Sequence, residues 1–97
     1  MRYTLVIYDI SDNSLRLRVS EVCKDFGLVR IQKSAFLGPL TGARRKELVA
    51  RLRRLLAERG GPRDNVQVFC LDESSARTRV VIGSVEVVEG EGLLAYV

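Results

Sequence analysis

The chain has 97 residues, 46% of them hydrophobic and 29% charged, which describes one globular domain rather than two domains or a disordered chain. It holds no histidine and only two cysteines, Cys23 and Cys70, so a Ser-His-Asp triad, a His general base, a mixed Cys/His zinc site and a CxxC redox pair are excluded. The net charge of +4 is uneven: residues 1–59 carry thirteen Lys/Arg against six Asp/Glu and residues 60–97 three against six, so the first part is expected to face a polyanion or to carry solvated basic helix faces.

Residues 2–8 read as a strand, with Tyr3, Leu5 and Ile7 alternating against Thr4, Val6 and Tyr8. Both sets are largely apolar, which places the strand inside a sheet with each face at least partly covered. Ile10-Ser11-Asp12-Asn13 follows as turn and helix cap. From Asp12 to Phe26 the period becomes helical: Leu15, Val19, Val22, Cys23 and Phe26 form one stripe, and Gly27 suits the left-handed residue that ends it. Cys23 lies in that stripe and is expected to pack as a small hydrophobe.

Leu28 to Leu37 is a second extended region, interrupted by Gln32-Lys33-Ser34. The interruption means either a bulge or a tight hairpin that divides it in two. Thr41 can cap the next helix, which runs to about Arg59 on a stripe of Leu48, Leu52, Leu55 and Leu56 and is stopped by Gly60-Gly61-Pro62. Its other faces are dense with Arg44, Arg45, Arg51, Arg53, Arg54 and Arg59. Asn65 to Leu71 is a further strand, in which Cys70 is expected to be packed. After Asp72-Glu73-Ser74-Ser75, short β-like pieces are expected at 78–82 and 84–88, and a last apolar piece from Leu93 to Val97.

The order β-α-β(β)-α-β predicts an α+β ferredoxin-like plait, βαββαβ, in a single domain over 1–97. Residues 1–77 form the plait and 78–97 a C-terminal strand extension. Right-handed crossovers put both helices on one sheet face, and a second copy of the chain is the obvious cover for the other, with residues 78–97 adding to the partner's sheet edge. No apolar run approaches the roughly 18 residues of a membrane span, and the first strand reaches Asp9 too soon for a signal peptide. A cytoplasmic address with no membrane contact is therefore expected.

Asp9 is the carboxylate that stands out, at the C-terminal end of the first strand where side chains converge. It reads either as a turn residue or as a ligand for Mg²⁺, an ion that takes oxygen ligands and few protein contacts. One aspartate per chain makes a poor site, and two brought together by a two-fold axis make a plausible one. Around it are expected Tyr8, Arg16, Arg18, Arg30, Gln32, Lys33 and Ser34. Arginine forks suit phosphates, and basic side chains without a row of exposed aromatics favour backbone contacts over base reading. The RNA-binding plait with stacking aromatics on its central strands is not matched.

Tyr8-Asp9-Ile10-Ser11-Asp12, then Leu15-Arg16-Leu17-Arg18-Val19, then Gly27-Leu28-Val29-Arg30-Ile31-Gln32-Lys33-Ser34-Ala35-Phe36, taken in order in so short a chain, resembles the small CRISPR-associated adaptation nuclease family. The resemblance covers residues 1–71, with Arg79-Val80-Val81-Ile82-Gly83 also similar. It implies a ferredoxin-like homodimer, with Mg²⁺ held by Asp9 of each chain, acting as a metal-dependent endonuclease on RNA or duplex DNA. It also implies a partner, the CRISPR-associated integrase, whose dimers such proteins bridge during spacer capture. On motif position Asp9, Tyr8 and Ser34 are the catalytic candidates, Arg16, Arg18, Arg30 and Lys33 the nucleic-acid contacts, and Phe36 a packing residue. The alternative is a non-catalytic dimeric scaffold, with arginines of the second helix and the strand edge as its DNA contact surface.

Overall fold

The computed structural model describes residues 1–84. In chain order it contains β1 (Tyr3–Asp9), α1 (Asn13–Asp25), β2 (Val29–Gln32), β3 (Ala35–Pro39), α2 (Gly42–Arg59), β4 (Asn65–Leu71) and a short α3 (Glu73–Arg77). β1 pairs antiparallel with β3 on one side and β4 on the other, and β2 pairs with β3, so the sheet order is β2-β3-β1-β4. This is the ferredoxin-like plait that the element order predicts.

The helix ends form as their capping residues dictate. The Asp12 carboxylate accepts the Leu15 N–H at 2.7 Å, and the Thr41 hydroxyl accepts the Arg44 N–H at 3.1 Å. Gly27, with φ of 81°, takes the left-handed conformation that turns the chain from α1 into β2. Leu15, Val19, Val22 and Cys23 of α1 and Leu48, Leu52 and Leu55 of α2 meet Val6, Tyr8 and Phe36 of the sheet in one buried core. Both helices thus lie on the same sheet face.

The other face is only partly covered. Ala76 of α3 seals Tyr3 and Leu37, with Leu5, Ile31 and Leu71 packed against them. Beyond that cluster Ile7 and Phe69 remain 39% and 42% exposed. No helix among the described residues is long and apolar enough to cross a membrane.

The region 28–37 contains both devices that the sequence allows. A hairpin turns at Lys33-Ser34 between β2 and β3, and the register also shifts between Arg30 and Gln32. Two expectations are corrected. Residues 78–82 form no strand: Asp72 caps α3 through its bond to the Ser75 N–H at 2.7 Å, Thr78 closes that helix, and Val80 and Ile82 stand 72% and 94% exposed. Among the described residues their β-branched side chains meet no strand edge, and β propensity acts only through such pairing. Cys70 is exposed rather than packed, because it lies on the edge strand β4. The pieces expected at 84–88 and 93–97 lie, apart from Ser84, outside the described residues.

Candidate nucleic-acid interface

A cleft of about 510 Å³ opens where the first turns of α1 face the β2–β3 hairpin. Tyr8, Arg16, Arg30, Lys33 and Ser34 line it together with Asn13, Leu17 and Ser20, and none of these residues is acidic. The fold therefore brings together, from β1, α1, β2 and one turn, five of the residues marked in the sequence.

The floor is layered. The Arg30 guanidinium lies 4.8 Å from the centroid of the fully buried Phe36 ring, and Tyr8 stacks beside that ring with centroids 6.4 Å apart and planes 19° apart. Arg30 Nη1 donates to the Lys33 carbonyl at 2.6 Å, which fixes the hairpin turn against the arginine. The Tyr8 N–H donates to the Ser34 carbonyl at 2.9 Å and ties that turn to the end of β1. Arg16 is steadied at the rim: Nη1 donates to the Ile10 carbonyl at 3.2 Å, and Nη2 to the Asn13 side-chain oxygen. Each guanidinium has five donors, so both arginines keep N–H groups free for a ligand.

Burial raises the Tyr8 pKa above the ordinary tyrosine value, against a smaller opposing pull from Arg30. Tyr8 is therefore a neutral phenol at physiological pH, able to donate a hydrogen bond but not to act as a base. Burial likewise pushes the Cys23 thiol up to about 12, with Arg30 acting against it. That excludes it as a thiolate nucleophile.

Arg18 and Asp9 stand outside the cleft. Arg18 reaches Glu21 one turn on, at 3.7 Å on the exposed side of α1. Two residues further along a helix is a rotation of about 200°, which separates it from Arg16. Asp9 is exposed and alternates with Tyr8, on the sheet face that carries Leu5 and Ile7. Its position is held by the turn that follows: Asp64 accepts the Ser11 N–H at 3.1 Å and the Gly61 N–H at 2.8 Å, and Asp9 pairs in register with Asn65. Those two N–H bonds hold the Asp64 carboxyl below its usual range.

The donor set around Asp9 limits what ion it could hold. No group of three or more Cys, Asp or Glu side chains able to bind a metal occurs among the described residues. Zinc, which needs three or four protein ligands, does not fit. Mg²⁺, which keeps most of its waters and is bound through one or two carboxylates, does.

Asn13, Leu17 and Ser20 were not marked in the sequence. Their spacing with Arg16 follows one face of α1, so the helical period carries the signal once the cleft side of the helix is known.

Comparison with known proteins gives concordant matches. A family model described as CRISPR associated protein Cas2 matches residues 1–79. A CRISPR-associated endoribonuclease Cas2 from Korarchaeum cryptofilum is 46% identical over 79 residues, covering 81% of this chain and 82% of the relative. A CRISPR-associated endonuclease Cas1/endonuclease Cas2 fusion from Thermoproteus tenax is 40% identical over 80 residues, 82% of this chain and 29% of the fusion. Among solved structures, a crystal structure of Cas2 superposes with a TM-score of 0.70 at 28% identity, covering 91% of this chain and 94% of that one.

Proposed function

The chain belongs to the CRISPR-associated Cas2 family, and from that premise we propose that it serves spacer acquisition as a homodimeric, Mg²⁺-dependent endonuclease on RNA or duplex DNA. The observation that carries this reading is the basic, carboxylate-free cleft of Tyr8, Arg16, Arg30, Lys33 and Ser34. The relatives named as endoribonucleases support a nucleic-acid substrate, and the fusion supports an integrase as partner.

Arg16, Arg30 and Lys33 bind and neutralise the phosphodiester backbone through charge-assisted hydrogen bonds. The Tyr8 phenol and the Ser34 hydroxyl orient the strand as neutral donors. With no histidine in the chain, no imidazole moves the proton. Asp9 of each protomer would hold Mg²⁺, an ion that would supply an acidified water and stabilise the charge developing on phosphorus. The half-exposed Ile7 and Phe69 on the face that carries Asp9 support a dimer closing over that face and pairing the two aspartates across its axis.

One observation favours a second reading, a scaffold that binds duplex DNA between integrase subunits without cutting. Asp9 and the basic cleft lie on opposite sides of the sheet, so one protomer does not present its carboxylate to a strand held in its own cleft. Asp9→Asn separates the two readings. An endonuclease loses at least about a hundredfold in Mg²⁺-dependent cleavage, on the order of 3 kcal/mol in the barrier, while dimerisation and nucleic-acid binding persist. Wild-type protein that binds duplex DNA and the integrase but never cuts in Mg²⁺ leaves the scaffold reading standing.

A further inference from the structure

α2 carries Arg44, Arg45, Lys46, Arg51, Arg53, Arg54 and Arg59 against only Glu47 and Glu58. The fold uses four of these cations internally. Arg44 lies over the Phe26 ring at 4.2 Å and pairs with Glu47 at 3.5 Å. Arg45 donates to the Thr4 hydroxyl at 2.9 Å, Arg51 pairs with Asp25 at 3.6 Å, and Arg59 donates to the Ser14 hydroxyl at 2.6 Å. Lys46, Arg53 and Arg54 are exposed and have no ion pair or hydrogen bond among the described residues.

Those three are not scattered. Lys46 and Arg53 lie two turns apart on one line of the helix, about 10 Å along its axis, with Arg54 beside Arg53. The exposed residues between them are Gly42, Ala43, Ala50 and Ala57, so no bulky side chain holds a ligand away from Lys46 and Arg53, and the exposed Glu47 and Glu58 flank only the Arg54 side of the face. Arg45, Lys46 and Arg53 border a shallow depression of about 430 Å³ floored by Gly42, Val49 and Ala50. α2 packs beside β4, whereas the cleft lies at the β2–β3 hairpin, so the two basic regions belong to opposite ends of the sheet order.

We propose that this outer side of α2 is a second phosphate-binding face, which takes the backbone of duplex nucleic acid independently of the cleft. The proposal rests on the reading of the chain as a nucleic-acid-binding protein and extends it from one contact region per protomer to two. The chemistry favours a phosphate backbone over a protein surface. Protein interfaces are enriched in aromatic, Met and Arg side chains and depleted in Lys and Ala; this face has Arg53 and Arg54 but no aromatic or Met anchor, and Lys46 with Ala43, Ala50 and Ala57 makes up the rest of it. The face also lacks the Asn and Gln that read adenine and the aromatic side chains that stack on bases, which favours phosphate contacts for Lys46, Arg53 and Arg54.

The test compares wild-type protein with Lys46→Gln/Arg53→Gln/Arg54→Gln, measuring duplex DNA affinity by fluorescence anisotropy across a salt series. Because the three side chains have no ion pair or hydrogen bond among the described residues, the variant keeps the wild-type circular dichroism spectrum and melting temperature. Its affinity is expected to fall at least about tenfold near 50 mM salt, and the slope of log K against log salt to lessen by about 2 to 3 units. Charge-preserving Arg53→Lys/Arg54→Lys, with Lys46 left in place, retains most of the binding. A triple variant with wild-type affinity and slope, from a wild type that does bind duplex DNA, overturns the α2 face and leaves the cleft as the binding site. Loss of integrase binding with DNA binding intact overturns it too, in favour of a protein occupant. Wild-type protein that binds no nucleic acid at all removes the underlying reading together with this one.

Discussion

Replacing Ile7 and Phe69 together by threonine should dissociate the proposed dimer while leaving the protomer folded. The two side chains lie on the open sheet face, one on β1 and the other on the adjacent edge strand β4, where Phe69 is registered opposite Leu5. They are 39% and 42% exposed in the isolated chain. Fully burying a side chain of this kind is worth about 1.5–3 kcal/mol, so covering the remaining two-fifths contributes about 0.6–1.2 kcal/mol each. Four such side chains meet in a two-fold dimer, giving about 2.4–4.8 kcal/mol, or roughly two to three orders of magnitude in the dimer dissociation constant. Threonine preserves strand propensity, so β1 and β4 still form. Sedimentation equilibrium from nanomolar to high micromolar concentration measures the shift, with circular dichroism confirming the fold. A folded double variant that dimerises as tightly as wild type would refute the reasoning, because the interface would then lie elsewhere. A wild type that stays monomeric at high micromolar concentration would remove the shared Asp9 site as well.

The two cysteines should report the fold through pH and labelling. The Cys23 thiol is raised from 9.0 to about 12, chiefly by burial, so the protonated form is favoured in the native state. Its stabilising contribution is complete below pH 9 and is lost as the pH climbs from 9 towards 12, about 1.4 kcal/mol by pH 10 in urea unfolding. Cys23→Ala should flatten that alkaline decline, and an equal decline in the variant would refute the assignment. A thiol reagent should label exposed Cys70 in the native protein and reach buried Cys23 only on unfolding. Among the arginines, Arg16→Gln and Arg30→Gln should each lower the salt slope of nucleic-acid binding by about one unit, because both line the cleft. Arg18→Gln should change it by less, since Arg18 points to Glu21 on the exposed side of α1; equal effects from Arg16 and Arg18 would refute the cleft as the contact region.

The local elements were legible in the sequence because short-range rules specify them. Asp12 and Thr41 cap their helices whatever surrounds them, Gly27 supplies a left-handed turn, and the stripes of Leu15/Val19/Val22 and Leu48/Leu52/Leu55 set which helix faces are buried. The order of those elements then leaves few topologies, of which the plait is one. The sidedness of the functional residues was decided only in three dimensions. Tyr8 and Asp9 are neighbours in sequence and part to opposite faces because a strand alternates. Arg16 and Arg18 share a motif, but helical rotation leaves only Arg16 in the cleft. Arg79-Val80-Val81-Ile82 has the composition of a strand, yet extended backbone is stable only with a partner edge, and none among the described residues pairs with it. Cys70 has the alternation of a core residue and is exposed because β4 ends the sheet. The arginines of α2 look alike in the sequence, and it is the positions of Phe26, Asp25, Thr4 and Ser14, brought in from other elements, that hold four of them and leave Lys46, Arg53 and Arg54 facing solvent.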